Sequence, residues 1–281
     1  MLTDTPTPQT PPPARSSPFV GIWLWSVLLL LTILAAWYGL VYWRRLSPLV
    51  LPLPTAVAFT LWQNGYDGFF WPHLWITMQE ILLGFLGGSL LGVGLGSLMA
   101  LAPRAQRVLH PYIIASQAMP KLALAPLFVL WCGFGILPKV LIAALIAFFP
   151  LFENTVAGLQ AVDAEARDLF RMLGANRWQV FTTLLLPSAV PYVFAGLRVA
   201  MVLSVVGAVV GEYVGANKGL GALIMASQGM MDTTLMFAVF ILLTLIGIML
   251  YQLVIYAERA VLARRARIVP LQQLLRGLEK G

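Results

Sequence analysis

The sequence predicts an all-α membrane protein of six transmembrane helices, with one amphipathic insert outside the bilayer. Three observations carry this. Hydrophobic residues make up 60% of the 281 and charged residues 10%, with a mean hydropathy of +0.86. Soluble domains carry about a quarter charged residues, so a chain this poor in charge has lipid as its solvent. Six apolar blocks recur along it, each near the ~20 residues a spanning helix needs. Between the fourth and fifth blocks stands Asp163 to Pro187, a polar segment that a mere anchor has no use for.

The elements follow in order. Residues 1–19 are rich in Pro and Thr and read as a disordered cytoplasmic tail rather than a signal peptide, since the apolar run after them is too long. A membrane domain is expected over 20–260, with spans at about 20–43, 76–102, 109–131, 138–160, 188–211 and 234–257. Trp23, Trp25, Trp37, Tyr38, Tyr42 and Trp43 mark the ends of the first span as an aromatic belt. Pro111, Pro120, Pro126 and Pro150 predict kinked or broken helices in the third and fourth. Residues 261–281 form a basic tail, read as an anchor on anionic lipid and not as a nucleic-acid site.

The +7 formal charge is unevenly spread. An N-in, C-in topology puts Arg15, Arg104, Arg107, Arg167, Arg171, Arg177 and the tail cluster (Arg259, Arg264, Arg265, Arg267, Arg276, Lys280) in the cytoplasm. Only Arg44, Arg45, Lys139 and Lys218 fall on the other side, as the positive-inside rule requires. The insert at 163–187 is then cytoplasmic. Cys132 is the only cysteine, so no internal disulfide forms. His73 and His110 are too few and too separated for a metal site. Ser, His and Asp do not cluster, no H-E-x-x-H occurs, and no G-x-x-x-x-G-K-[ST] phosphate loop occurs. No catalytic residue and no cofactor of the chain's own are expected.

Gly84, Gly88, Gly92 and Gly96 recur every four residues and make one smooth ridge; Gly207, Gly211 and Gly215 make another. Such ridges let backbones approach closely, for packing within one subunit or at a sliding or dimer surface. Charges at bilayer depth are Glu80, Lys121, Glu153, Arg198 and Glu212. Glu80 and Glu212 are expected near the outer interface. Lys121, Glu153 and Arg198 fall near mid-depth, where they serve as a mutual ion-pair network or line a solute path.

The insert reads as two short helices. Asp163 is a good N-cap and Glu165 faces the positive helix end. Leu169, Phe170 and Leu173 make an apolar face, and Gly174 ends the helix in the left-handed conformation glycine adopts readily. Arg177 to Leu185 follows, with Trp178, Phe181 and Leu185 on one face, and Pro187 opens the next span. The spacing resembles the coupling motif of type I ATP-binding-cassette importer permeases, E-A-A-x-x-x-G, nine residues, then I-x-L-P. Gly174 takes the glycine, with Ala175 after it; Leu184 takes the isoleucine, and Leu186 and Pro187 the final pair. Asp168, Leu169 and Phe170 occupy the Glu-Ala-Ala positions. The segments 47–57, 118–135, 148–159 and 210–221 are similar to the nitrate/sulfonate/taurine branch, the last also to permeases of pyrimidine precursors and riboflavin.

The resemblance implies a type I permease bundle in a bacterial cytoplasmic (inner) membrane, with 163–186 as coupling helices. It implies a second permease copy, a cytoplasmic ATPase dimer that binds ATP and Mg, and a periplasmic or extracellular substrate-binding protein. The cargo is then a small organic anion, such as a sulfonate, taurine or a nitrate-like ion, or a small heteroaromatic. The rival is a gradient-driven secondary transporter, which would show inverted repeats and a carboxylate at the midplane of discontinuous helices. No internal repeat is evident, and Glu153 is the lone mid-depth acid. A membrane-embedded enzyme and a passive scaffold fit less well.

Overall fold

A computed structural model of the chain describes residues 19–266. The tail expected at 1–19 lies outside them except for Phe19, as does the basic tail beyond Ala266. The described elements are helices α1 (Phe19–Arg44), α2 (Pro54–Tyr66), α3 (Phe70–Leu101), α4 (Pro103–Gln117), α5 (Ala125–Cys132), α6 (Leu137–Gln160), α7 (Ala164–Met172), α8 (Arg177–Val180), α9 (Leu186–Tyr213), α10 (Leu220–Gly229) and α11 (Thr233–Ala266). A 3-10 turn covers Lys121–Leu124 and a π turn Phe181–Leu185. Because α11 runs on to Ala266, the domain boundary expected at 260 falls inside a helix.

Five helical runs are long and apolar enough to cross a membrane. One further pair of helices meets the same criterion only when taken together: α4 and the helix that starts at Lys121 meet at 84°, the geometry of a broken span or a re-entrant loop. Pro120 stands at the break. It fixes its own φ, lacks an N–H and pushes the preceding residue out of the helical region. Pro150 has no such effect, and α6 passes through it as one helix. Two helices fall outside the apolar blocks. α2 carries Pro54 in its first turn, where a missing N–H costs nothing, and α10 follows Gly219.

The core is α6 clasped between α3 and α9. The α3 glycine ridge packs on α6 of the same chain. A Cβ on Gly84 would meet Ala143, one on Gly88 Ala147, one on Gly92 Leu151, and one on Gly96 Thr155. The Glu80–Lys139 pair keeps the same offset of 59 positions, so α3 and α6 run parallel in fixed register. On the other flank Gly207 lies against Ala143, Gly211 against Lys139, and Gly158 against Tyr192. Each step forward on α9 there is a step back on α6, so this pair is antiparallel. Ala143 is fully buried between Gly84 and Gly207. Lipid offers no hydrophobic drive between helices, and this close backbone approach supplies van der Waals contact instead.

α1 lies largely outside this core, with Leu24, Trp25, Tyr42 and Trp43 exposed. Trp37 departs from the expected belt. Its Nε1 donates to the Pro52 carbonyl at 3.1 Å and its ring lies 5.6 Å from Phe237, so it fastens α1 to the start of α2 and to α11.

Candidate functional site

The insert after α6 leaves much of its surface, polar and apolar, uncovered. Asp163 sits at the N-cap position of α7, but its side chain makes no capping hydrogen bond, contrary to expectation. Its carbonyl accepts the Arg167 N–H at 3.3 Å. Glu165 is exposed in the first turn, favourably placed for the helix dipole. Arg167 donates to the Leu159 carbonyl at 2.8 Å and so fastens α7 to the C-terminal turn of α6. Asp168 pairs with Arg171 at 2.8 Å on the surface.

Gly174 closes α7 with φ +73°. The Gly174 N–H donates to the Arg171 carbonyl and the Ala175 N–H to the Phe170 carbonyl, both at 3.0 Å. These are the two bonds of a Schellman motif. Asn176 then caps α8: its side chain accepts from the Gln179 N–H, while the Gln179 side chain accepts from the Asn176 N–H, each at 2.8 Å.

The apolar face differs from the one expected. Phe170 is half-buried, but Leu169, Leu173 and Trp178 are exposed, as is Met172 at 79%. Phe181 and Leu185 are buried. The second short helix is not separate either. α8, the π turn and α9 form one helical run from Arg177 to Tyr213. Proline inside a helix clashes with the carbonyl four residues before it, and the wide turn lies just before Pro187. Leu186 is exposed at the join.

At the opposite end of the bundle, a polar cluster is buried between helices. Lys139 donates to Glu80 at 2.9 Å, with the Glu80 side chain wholly buried. Lys139 is therefore a core residue and not a loop charge. Thr77 donates to Glu212 at 2.6 Å and accepts the Leu220 N–H at 2.8 Å. The Gly221 N–H donates to the other Glu212 oxygen, and the Gly219 N–H donates to His73 Nδ1 at 3.2 Å. Glu80 and Glu212 are thus buried between helices at the end of the bundle opposite the insert; they join α3, α6 and α9 to the start of α10.

The three mid-depth charges do not pair with one another. Arg198 donates to Glu258 of α11 at 2.7 Å, which replaces the expected pairing with Glu153. Glu153 accepts from Gln117 at 3.0 Å and lies 3.5 Å from His110. Lys121 stands over the Phe149 ring, 4.1 Å from its centroid. A cavity of about 520 Å³ is lined by Arg107, His110, Gln160 and Arg167 among others.

Residues 88–267 match the sequence model of the family described as "Binding-protein-dependent transport system inner membrane component". The chain belongs to this family. It is a permease subunit of an ATP-binding-cassette importer. It is 37% identical to the riboflavin transport system permease protein RibX of Chloroflexus aurantiacus, over 89% of this chain and 96% of that one. It is 37% identical to the formylaminopyrimidine transport permease protein ThiX of Halalkalibacterium halodurans, over 72% and 81%. It is 30% identical to the taurine transport system permease protein TauC of Escherichia coli, over 80% and 84%. The fold is that of a chain of the MetNI methionine ABC transporter in an inward-facing conformation, with a TM-score of 0.60 at 19% identity, over 69% of this chain and 98% of that one.

Several groups of the permease escape sequence reasoning. Met172 carries no signal of exposure beyond its place in a turn that glycine closes. Glu258 sits sixty positions from Arg198, in a segment that reads as the basic end of the last span. The Glu80–Lys139 link could be found by adding four-residue steps to the glycine ridge, since it lies in the same register.

Proposed function

We propose that two copies of this permease enclose the transport path, and that Asp163 to Pro187 is the part each copy offers to a cytoplasmic ATPase. Leu169, Met172, Leu173 and Trp178 dock in a cleft of that ATPase, with Asp168, Arg171 and Arg177 around them. The observation that carries this reading is that large apolar side chains stand exposed on a polar insert outside the spans, held in shape by the Gly174 turn and the Asn176 cap. The ATPase dimer holds ATP and Mg. A periplasmic or extracellular binding protein delivers the cargo, a small organic anion or a small heteroaromatic, in keeping with the names of the relatives. Both termini lie in the cytoplasm of a bacterial inner membrane.

Gly174 gives the test. A Cβ there would meet nothing within 4 Å, so any penalty comes from φ +73° alone. An L-residue held left-handed costs about 1–2 kcal/mol, and Asn bears it better than a β-branched residue. Gly174→Val is expected to insert normally yet lose co-purifying ATPase and binding-protein-stimulated ATP hydrolysis together, while Gly174→Asn keeps most of both. Full stimulated hydrolysis in Gly174→Val would remove the coupling role from this turn.

A further inference from the structure

Of the three mid-depth charges, two are answered within the chain. Arg198 has Glu258, and Glu153 has Gln117 and His110. Lys121 has neither a carboxylate nor a hydrogen-bond acceptor among the described residues; a ring face is its contact. An aromatic quadrupole answers an ammonium only weakly compared with an anion. An intramembrane cation left this way points at something the chain itself does not supply.

Its position says what. Lys121 is the first residue after the break in the third span, and it is partly exposed. Irregular backbone at membrane depth occurs where it is buried in protein or lines a cavity. Arg107, His110 and Gln117 fall at helical spacing on α4, the lower pair on the 520 Å³ cavity and the upper pair against Glu153. These groups make a polar strip that climbs from the cavity to Glu153, which stands one helical turn along α6 from the Phe149 ring under Lys121. A symmetric second copy would bring the same strip. Its acid, Glu153, is already engaged by its own Gln117 and His110, so pairing the copies adds cations to the break without a spare carboxylate from the strip.

We propose that Lys121 is the cargo-selecting residue of the transport path, where its ammonium meets the sulfonate or carboxylate head of a small organic anion. This rests on the permease reading above and narrows its cargo to the anionic class. The Phe149 ring gives the ammonium a resting place when no anion is present. Contact with the cargo is therefore an exchange of partners, and a path needs such a site to be weak enough to release.

The experiment uses the permease assembled with its ATPase in liposomes. The chain has four lysines, Lys121, Lys139, Lys218 and Lys280, so peptide mapping after acetic anhydride treatment follows each amine. Ethanesulfonate is expected to slow acetylation of Lys121 by about tenfold while leaving Lys218 unchanged, and neutral ethanesulfonamide to do nothing, since only the anion forms a charge-assisted pair. Efflux of labelled ethanesulfonate is expected to fall by about tenfold in Lys121→Gln and to persist in Lys121→Arg, which keeps the charge. Equal acetylation with and without ethanesulfonate overturns the proposal. So does a Lys121 already shielded in the assembled complex without it, or equal efflux from Lys121→Gln. If Lys121→Gln fails to assemble, the protection measured on the unaltered chain decides. Loss of the permease reading itself would show elsewhere, as an unaltered complex without binding-protein-stimulated ATP hydrolysis.

Discussion

The α3–α6–α9 core and the α7–α8 insert both depend on glycine, for opposite reasons. In the core glycine supplies missing volume. A Cβ on Gly88 would sit 2.5 Å from the Ala144 carbonyl oxygen and 3.0 Å from Ala147, against the backbone of α6. In the insert it supplies missing handedness, since Gly174 has open space around it and a backbone that L-residues avoid. The core is thus intolerant of size, and the insert of backbone geometry. Side chains follow the same division. Buried charges of the core, Glu80, Lys139 and Glu212, bond across helices, whereas large apolar groups on the insert stand in the open. One region uses its contacts to hold the chain together; the other leaves large apolar side chains open.

The sharpest way to break this contrast is to remove one charge from the core. Lys139→Met leaves the buried Glu80 unpaired and is expected to destabilise by about 3–5 kcal/mol, the usual cost of a lone buried ion. Adding Glu80→Leu is expected to restore most of it, read from thermal unfolding of the detergent-solubilised chain. A single variant as stable as the parent would place Lys139 in contact with water.

Next comes volume. Gly88→Leu is expected to cost about 1–3 kcal/mol or prevent assembly, because the clash is with backbone that cannot rotate away. Gly94, on the same helix, has nothing within 4 Å of its Cβ position. Gly94→Leu should therefore fold as well as the parent or better, judged by monodisperse elution of the tagged protein. Equal behaviour of the two would mean that the register of α3 on α6 is wrong.

Arg198 and Glu258 are partly exposed, at 32% and 13%, so a smaller loss is expected. Arg198→Gln should destabilise by about 1 kcal/mol, and Glu258→Gln on top of it should add little, since the pair is already broken. Glu153→Gln should instead add its own cost in full. The reverse pattern would return Arg198 to Glu153. Smallest of all is Asp168→Ala. Its pair with Arg171 is mostly in solvent, and the change should stay within about 0.5 kcal/mol in unfolding assays. A large loss would show that the insert is held by charge and not by its turns.

Much of the fold is legible in the sequence because lipid demands long apolar runs, and the glycine spacing announces the α3 face that meets α6. α2 and α10 are not legible in this way, both being too short to span and α2 mixed in polarity. The ends of the insert are also legible, since Gly174 and Asp163 stand where helix termini want them. Which side of α7 is covered is not. A short amphipathic helix has an apolar face whether it is buried or offered, and only packing against α6 separates Phe181 from Trp178. Partners sixty residues apart, such as Arg198 and Glu258, follow from how helices lie in space, about which local pattern is silent.

The single helical run from Arg177 to Tyr213, with its wide turn before Pro187, has a mechanical meaning. Its 37 residues make a rod about 55 Å long at 1.5 Å per residue. One end carries Trp178, exposed on the insert; the other carries Glu212, which holds the start of α10. Such a rod is a lever. A tilt of about 5° about one end moves the other by roughly 5 Å, close to one helical turn. A modest push on the insert would thus reach the far face of the bundle as a displacement large enough to unseat a buried hydrogen bond, with no signal passed from residue to residue along the way.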